Sequence, residues 1–419
     1  MNIGFISTRL AGTDGVSLET GKWATIFERL GHKVYYCAGE LDPGLHGLSV
    51  PEMHFTHPEV RWIHDRAFGT IDAVPDLESR ITSLATHLRE SVQRFVSAFD
   101  LGLLVVENAL AIPMNVPLGL ALTEFIAETG IPTIAHHHDF YWERDRFLIN
   151  CVGDMLDRAF PPDLPSLRHV VINSIAQGEL RRRRGIGSML VPNVFDFDTP
   201  APGVDDFNAD LRAALGLDDD DLFILQPTRV VPRKGIELAI ELLRRLDEVA
   251  SRHPVLVITH QAGDEGLDYL HELQNRAQEA GVDLRYVADR FGAARRLDAA
   301  GRKVYVLWDA YVHADFVTYP SRYEGFGNAL LEAIYFRLPL LVNRYPVYAA
   351  DIGPLGFDFV EIDGAVTDAA VKETRDFLTD PERRRMAVEW NFRLGWELFS
   401  YHVLREKLGV FLNALPFRR

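Results

Sequence analysis

The alternation of short apolar runs with longer segments of helical periodicity constrains the fold most, and it continues through almost all of the 419 residues. Predicted strands lie at 3–7, 33–38, 101–106, 133–136, 168–173, 222–228, 255–259, 284–287, 316–319 and 340–343. Predicted helices lie at 18–30, 77–98, 117–128, 174–183, 235–253, 267–280 and 381–415. Such alternation is typical of βαβ units with parallel sheets. The sequence therefore predicts an α/β protein.

The pattern is interrupted once, at 191–203, where three prolines alternate with Asn and Asp. Clustered prolines of this kind indicate a linker. We therefore expect two doubly wound, Rossmann-like domains, at 1–198 and 199–395, with a cleft between them. A closing helix at about 396–419 is expected to pack back on the first domain. In doubly wound sheets ligands bind beyond the carboxyl ends of the strands, so functional motifs should follow strands.

Composition excludes several classes of protein. The hydrophobic share of 47% and charged share of 25% are those of a folded chain, and no apolar run approaches the ~20 residues of a membrane span. A net charge of −16 argues against nucleic-acid and anionic-membrane partners, and the basic run 181–184 is interpreted as a solvated helix end. The two cysteines, Cys37 and Cys151, have no metal-like spacing, so we expect a cytoplasmic protein. The oligomeric state is left open.

The most informative segment is 316–333, in which a strand is followed by a glycine-containing turn and by a helix starting near Asn328. Gly325 and Gly327 allow the backbone to approach a ligand closely, and the helix N-terminus favours negative charge. Glu324 on the turn could accept hydrogen bonds from sugar hydroxyls, and Glu332 could bind the two hydroxyls of a ribose. The alternative is that Glu324 caps the helix and Glu332 lies on the surface.

A second segment, 228–236, follows a predicted strand and opens a helix. Arg229 and Lys234 stand five residues apart across this turn, so both could bind one diphosphate. Arg233 could be a third contributor. The alternative is that these are solvated charges at the start of a helix.

Two further motifs follow strands in the first half. Asp14-Gly15-Val16-Ser17 precedes a helix, so Asp14 either binds an acceptor hydroxyl or caps that helix. Three consecutive histidines at 136–138 suggest a metal, but neighbouring residues of a strand point to opposite faces and cannot all bind one ion. We therefore predict no metal site. Tyr141, Trp142 and Glu143 either form an acceptor wall or pack the loop.

The Glu-x₇-Glu spacing, with Gly-Phe-Gly after the first glutamate and Pro-Ser before it, resembles the retaining glycosyltransferases of the GT-B fold, family 4. The segment at 228–236, the loop at 14–17 and the Pro-Asn-Val-Phe-Asp sequence at 192–196 are similar to motifs of the same family. Asp14 departs from its glycine loop, and 343–348 replaces the glycine-rich turn usual after that strand.

The resemblance implies a role for each matched residue. The implied catalytic residues are His138, Arg229, Lys234 and Glu324, and the implied donor-binding residues are Gly15, Val16, Arg229, Lys234, Glu324, Gly325, Phe326, Gly327, Asn328 and Glu332. The family places one histidine at the strand end near the donor sugar and the acceptor, which His138 matches best and His137 second. The predicted acceptor-binding residues are Asp14, His137, Asp139 and Tyr141.

The implied reaction is transfer of a sugar from a nucleoside-diphosphate sugar to a hydroxyl of a small soluble acceptor, with the α-anomer retained. The acceptor would be a sugar, a sugar phosphate or a hydroxy acid, and the donor base (UDP, GDP or ADP) is open. The resemblance implies no cofactor and no metal, because Arg229 and Lys234 would hold the leaving diphosphate. Two alternatives remain, a nucleotide-sugar epimerase of the GT-B fold and a non-catalytic nucleotide-sugar-binding protein.

Overall fold

The computed structural model describes residues 1–12, 14–72, 74–246, 252–262 and 266–414. The chain divides into two compact units. Unit 1 comprises Met1–Val194 and the closing segment that begins at Tyr401, and unit 2 comprises Phe195–Ser400.

Unit 1 is built on a parallel sheet. Its strands are β1 (Asn2–Ile6), β2 (Lys33–Ala38), β3 (Gly47–Ser49), β4 (Leu101–Glu107), β5 (Thr133–His137), β6 (Leu167–Val171) and β7 (Ser188–Leu190). Its helices are α1 (Gly15–Arg29), α2 (Pro58–Ala67), α3 (Leu77–Ala98), α4 (Val116–Thr129), α5 (Gly153–Ala159), α6 (Ser174–Arg184) and α14 (Tyr401–Ala414). Within the described ranges, the sheet has seven strands in the order β3-β2-β1-β4-β5-β6-β7.

Helices cover both faces of this sheet. On one face, α3 turns a stripe of buried residues that includes Ile81, Leu88 and Phe95 towards a core shared with α2, α4, α5 and α6. On the other face, Trp23 and Phe27 of α1 lie in a second core, which also contains Leu404, Leu408 and Phe411 of α14. A stripe of apolar residues at helical spacing is what buries one side of each helix.

Unit 2 is a second parallel sheet covered by helices. Its strands are β8 (Asp221–Gln226), β9 (His253–Ile258), β10 (Asp283–Tyr286), β11 (Arg296–Leu297), β12 (Lys303–Val304), β13 (Phe316–Tyr319), β14 (Leu340–Asn343) and β15 (Val360–Ile362). Its helices are α7 (Leu211–Ala214), α8 (Ile236–Leu246), α9 (Asp268–Ala280), α10 (Leu307–His313), α11 (Asn328–Tyr335), α12 (Asp368–Thr379) and α13 (Pro381–Phe399). In the part of the chain that is described, six strands follow the order β10-β9-β8-β13-β14-β15, and β11 and β12 form a separate antiparallel pair.

Local packing explains where the two units divide. The predicted boundary at residues 198 and 199 lies within unit 2, because the backbone N–H of Phe195 donates to the carbonyl of Phe399 at 2.8 Å. The ring of Phe195 also lies 4.7 Å from that of Tyr335. The returning segment starts at Tyr401 rather than at about 396, since α13 belongs to unit 2.

Two predicted helices end differently in the structure. The helix predicted at 381–415 is interrupted at Ser400, whose backbone is extended, so that α13 and α14 are separate; Leu415 lies outside the described residues. The helix predicted at 235–253 is present as α8, 247–251 lie outside the described residues, and His253 begins strand β9. Helices such as α2, α10 and α12 were not predicted.

Among the residues that the structure describes, no helix combines the length and the apolar character that spanning a membrane requires.

Candidate functional site

A buried ion pair lies at the carboxyl edge of the unit 2 sheet. Strands β8 and β13 are parallel neighbours, so the turns that follow them reach the same edge. Lys234, on the first turn, donates to Oε1 of Glu324 on the second. The two side chains are only 9% and 11% exposed. The structure therefore brings together two of the predicted catalytic residues, which are 90 positions apart in the sequence.

Two arginines add positive charge to this edge. Nη1 of Arg233 lies 3.4 Å from Oε2 of Glu324, and Arg229 is exposed beside the pair. Burial by itself would raise the pKa of Glu324, but the charge and hydrogen bond of Lys234, with the charge of Arg233, hold it below its ordinary value. Glu324 is therefore ionised and has more than one cationic neighbour.

His260, which follows β9, lies close enough to Lys234 and Arg229 to be affected by their charges. Burial lowers its pKa to about 4, and the positive charges of Lys234 and Arg229 act in the same direction. His260 is therefore neutral at physiological pH. The sequence analysis did not identify this residue, although a polar side chain directly after an apolar strand is the signal that could have found it.

Glycines allow the two turns to approach each other. Gly235 has a φ of +60°, and a Cβ there would lie 2.5 Å from the carbonyl oxygen of Pro320. Gly327 has a φ of +131°, and a Cβ there would lie 2.7 Å from the hydroxyl oxygen of Tyr345. Both positions exclude side chains, for reasons of backbone conformation as well as space.

Glu332 lies on α11 and is partly buried. The hydroxyl of Tyr311 donates to its Oε2 at 2.8 Å, and the ring of Tyr311 stacks on Phe336 at 5.0 Å. Tyr311 is 1% exposed, so Glu332 is bonded to a buried residue and is not a freely solvated surface carboxylate. Nothing in the sequence linked Tyr311 to Glu332, because the contact depends on how α10 packs beside α11.

The segment that departs from the family pattern, 343–348, has a structural role. The hydroxyl of Tyr345 donates to the carbonyl of Phe326 at 2.5 Å. The side-chain amide of Asn343 donates to the carbonyl of Ser321 at 3.0 Å and accepts from the N–H of Gly364 at 2.8 Å. These bonds hold in place the turn that carries Glu324, Gly325 and Gly327.

In unit 1, a buried carboxylate lies between two of the three consecutive histidines. Oε2 of Glu107, the last residue of β4, is 2.9 Å from Nδ1 of His136 and 3.2 Å from Nε2 of His138. The Glu107 side chain is 0% exposed, that of His136 1%, and that of His138 10%. Burial would raise the pKa of Glu107, but the two imidazoles lower it to about 2.

The ligand-type atoms of Glu107, His136 and His138 lie within 4.8 Å of one another, a separation that one cation could bridge. The prediction that the three histidines cannot share an ion agrees with this geometry, since His137 points elsewhere. In metal centres the outer nitrogen of each histidine normally donates to a carboxylate, a carbonyl or water. Among the described residues, Nε2 of His136 is buried without such a partner, so the outer hydrogen bond that orients a metal-binding histidine is missing here.

His137 does not fit its predicted role in acceptor binding. It is 1% exposed, and its Nε2 lies 2.9 Å from Nδ1 of His169 on the neighbouring strand. Its ring packs against Phe140, 4.9 Å away, in the core between the sheet and helices α2 to α6. Alternation along β5 turns His137 away from His136 and His138, so His137 lacks the exposure that its predicted role in acceptor binding requires.

The loop before α1 shows what Asp14 does. Its Oδ1 accepts from the backbone N–H groups of Val16 and Ser17 at 3.0 and 3.1 Å, and its Oδ2 accepts from Arg9 at 2.8 Å. Asp14 is thus the N-cap of α1, which was one of the two alternatives, and its oxygens are already occupied. The acceptor role predicted for Asp14 loses support. Gly15 and Val16 form the first turn of this helix.

Asp139 and Tyr141 are both held by neighbouring residues. Oδ1 of Asp139 accepts from the amide of Asn108 at 2.9 Å, and Oδ2 accepts from Arg144 at 2.6 Å. Tyr141 packs against the core and lies 5.1 Å from the ring of Trp142. The loop-packing alternative for Tyr141 and Trp142 therefore describes the observed contacts.

Glu107 and Asn108 were not predicted, although both follow the apolar run at 101–106. The side-chain oxygen of Asn108 accepts from the backbone N–H of His138 at 3.0 Å, and the backbone N–H of Asn108 donates to the carbonyl of His136 at 2.9 Å. A polar pair directly after the run at 101–106 was the available signal.

Comparison with known proteins tests the family resemblance. The family model described as glycosyl transferases group 1 matches residues 207–391. Mannosylglucosylglycerate synthase of Petrotoga mobilis is 33% identical over 381 residues, covering 86% of this chain and 86% of that protein. The protein of that name from Thermotoga maritima is also 33% identical and covers 98% of this chain and 99% of its own.

A solved structure supports the fold. A glycosyltransferase from Rickettsia africae ESF-5 has a TM-score of 0.69 at 11% identity and covers 100% of this chain and 99% of its own. Together with the two parallel α/β sheets, this likeness confirms the predicted GT-B fold class. The chain belongs to the group 1 glycosyl transferases.

Proposed function

We propose that this glycosyltransferase moves a hexosyl group from a nucleoside-diphosphate sugar to a hydroxyl of a small acceptor and retains the α-anomer. Unit 2 binds the donor through Arg229, Lys234, Glu324, Glu332 and the turn formed by Gly325, Phe326, Gly327 and Asn328. Unit 1 contributes His138, Gly15 and Val16. A cytoplasmic location is part of the proposal.

The observation that carries this proposal is the buried pair of Lys234 and Glu324 with Arg233 beside it. A buried cation needs an anionic partner, and without a ligand Glu324 is that partner. A diphosphate next to Lys234 would supply the anion instead. Glu324 would then be available to accept hydrogen bonds from the hydroxyls of the donor sugar.

Departure of the diphosphate is the difficult step, because negative charge grows on the leaving oxygen. Preorganised cations and N–H donors stabilise such charge most when they are aligned beforehand. Lys234 and Arg229, with the N-terminus of α11, meet this need without a metal. We propose a front-face mechanism, in which the leaving phosphate takes the proton of the acceptor hydroxyl.

The names of the two relatives suggest the class of acceptor. Both are named for a product that joins mannose, glucose and glycerate. We therefore propose a mannosyl donor and, as acceptor, a small glycoside that carries a carboxylate. This choice lies within the sugars and hydroxy acids expected from the sequence.

The test is a product assay with GDP-mannose, UDP-glucose and ADP-glucose, each combined with glucosylglycerate or glycerate. We expect GDP-mannose with glucosylglycerate to give a product whose new bond is α by NMR, with turnover retained in excess EDTA. An isomerised nucleotide sugar would establish the epimerase alternative, and nucleotide binding without any product would establish the binding-protein alternative. Complete loss in EDTA, restored by magnesium or manganese, would contradict the metal-free mechanism.

A further inference from the structure

Glu107 is a fully buried carboxylate whose counter-charge must come from a histidine. Among the residues that the structure describes, its ion-pair partners are His136 and His138, and its Oε1 has no hydrogen-bond partner. An ionised carboxylate only accepts hydrogen bonds. Nδ1 of His136 and Nε2 of His138, which both face it, must therefore carry protons.

The two histidines differ in how easily they hold a second proton. His136 is 1% exposed and stacks on Trp23 at 4.3 Å, so burial lowers its pKa. His138 is more exposed. Burial would lower the pKa of His138, but the hydrogen bond and charge of Glu107 outweigh it and raise the pKa above its ordinary value.

The charged and titratable groups around His138 come from several elements. Glu19 on α1 is 1% exposed and adds negative charge, although Lys22 pairs with it at 2.5 Å. Asp139 also favours the protonated form, although Arg144 pairs with it. The groups that act on His138 are Glu107 of β4, His136 and His137 of β5, Glu19 of α1, and Asp139 of the loop after β5.

A protonated His138 has one donor left over. In the described part of the chain, its Nδ1 has no hydrogen-bond partner, while its backbone N–H is held by Asn108 and its Nε2 by Glu107. The backbone and the ring of His138 are thus each held at one point. The remaining N–H can donate only to water or to a ligand.

We propose that Glu107 is a positioning residue that keeps His138 protonated and orients its Nδ1–H towards an oxygen of the substrate. An imidazolium has no free lone pair, so His138 cannot take the proton of the acceptor hydroxyl. It acts as a hydrogen-bond donor to an oxygen, and the proton goes to the leaving phosphate. The identity of the substrate rests on the proposed function, whereas the protonation state of His138 does not.

The experiment compares the wild type with Glu107→Gln, which keeps an oxygen acceptor but removes the charge. Nitrogen-15 NMR of histidine-labelled protein between pH 5 and 9, assigned with His138→Gln, measures the protonation of His138 without substrate. We expect His138 to titrate above 6.5 in the wild type and below it in Glu107→Gln. Ser7→Ala, which removes only a hydroxyl bonded to the Glu107 carbonyl at 2.9 Å, should leave this titration unchanged.

Kinetics give the second measurement. Because the protonated form is active, kcat/KM should be highest at low pH and fall as pH rises through the pKa of His138. In Glu107→Gln this fall should begin at lower pH, with activity recovered on acidification. His138→Gln should lose roughly 10²-fold at low pH, where His138 of the wild type is protonated, and this loss should shrink as pH rises.

Several outcomes would overturn the inference. If Glu107→Gln does not fold, the wild type alone decides, because a His138 that titrates at or below 6.5 contradicts the proposal. An unchanged His138 titration in a folded Glu107→Gln protein would also contradict the proposal. A stoichiometric metal in the purified protein that is lost in His136→Gln would contradict it as well. Failure of sugar transfer would leave the NMR result intact and would count against the proposed function only.

Discussion

Lys234 is a buried cation, and this changes how its substitution must be tested. Truncating one partner of a buried pair leaves the other charge uncompensated and typically costs about 3–5 kcal/mol of stability. Lys234→Ala would thus lower activity partly by unfolding unit 2. Lys234→Met combined with Glu324→Gln removes both charges at nearly constant volume and serves as the stability control.

We expect Lys234→Ala and Arg229→Ala each to lower turnover by roughly 10²–10³-fold, with less effect on donor binding, because their charges act on the leaving group. The losses should not multiply in the double variant, since both residues serve one diphosphate. Steady-state kinetics at a temperature where each variant is folded is the measurement. Arg276→Ala, an exposed arginine of α9 paired with Glu272, is the matched control. Near-normal turnover in either variant would make that side chain a solvated helix-start charge.

Glu332 gives a second prediction at this scale. Glu332→Ala should weaken binding of the nucleoside diphosphate, but it also leaves the buried hydroxyl of Tyr311 without its acceptor, at a cost of about 1–3 kcal/mol. Glu332→Gln retains that acceptor and should weaken nucleotide binding with a smaller loss of stability. Calorimetry measures the affinity, and Glu241→Ala, which breaks only a surface pair with Arg244, is the control. Unchanged affinity in both Glu332 variants would remove the ribose role.

At the scale of elements, the turn before α11 depends on Gly327. Its φ of +131° and the 2.7 Å from a Cβ to the Tyr345 hydroxyl make any side chain costly. We expect Gly327→Ala to destabilise unit 2 by roughly 1–3 kcal/mol and to lower activity. Gly356, with a φ of +88° and no atom within 4 Å of a Cβ, is the matched control.

Chemical denaturation of the two glycine variants separates backbone strain from steric contact. Gly356→Ala reports the cost of positive φ alone, so the excess loss in Gly327→Ala measures the contact with Tyr345. Equal losses and normal turnover in the two variants would show that the turn tolerates a side chain.

At the scale of the whole molecule, the end of the chain stabilises its beginning. Leu408 of α14 is 0% exposed in the core that contains Trp23 and Phe27. We expect Leu408→Ala to destabilise unit 1 by about 2–5 kcal/mol and to leave the nucleotide affinity of unit 2 unchanged. Val410→Ala, at a position 57% exposed on the same helix, is the control.

Thermal unfolding with and without nucleoside diphosphate separates the two units. Nucleotide should raise the unfolding temperature of unit 2, whereas Leu408→Ala should lower the unfolding temperature of unit 1. Unfolding of a two-domain chain need not be two-state, so each transition must be followed separately. A loss of nucleotide affinity in Leu408→Ala would show that the two units do not unfold independently.

Local pattern was enough to predict much of the fold. Strand β13 and helix α3 have the predicted bounds, because their apolar residues recur at strand and helix spacing. Periodicity carried less information where elements are short: α2 and α10 were missed, and the single extended residue Ser400 divided a predicted helix. Helix propensity, which is averaged over several residues, cannot predict a single extended residue whose conformation depends on the packing of the helices on either side.

Local pattern was enough for the α/β class and the family resemblance, and it placed Lys234 and Glu324 on turns after strands, where ligands bind in parallel sheets. The partners of each side chain became visible only in the folded chain. It showed that His137 points into the core, that Asp14 caps α1, and that Glu107, 29 residues before His136, lies between two histidines. Contacts of this kind depend on which strands are neighbours in the sheet, and no local spacing in the sequence encodes that order.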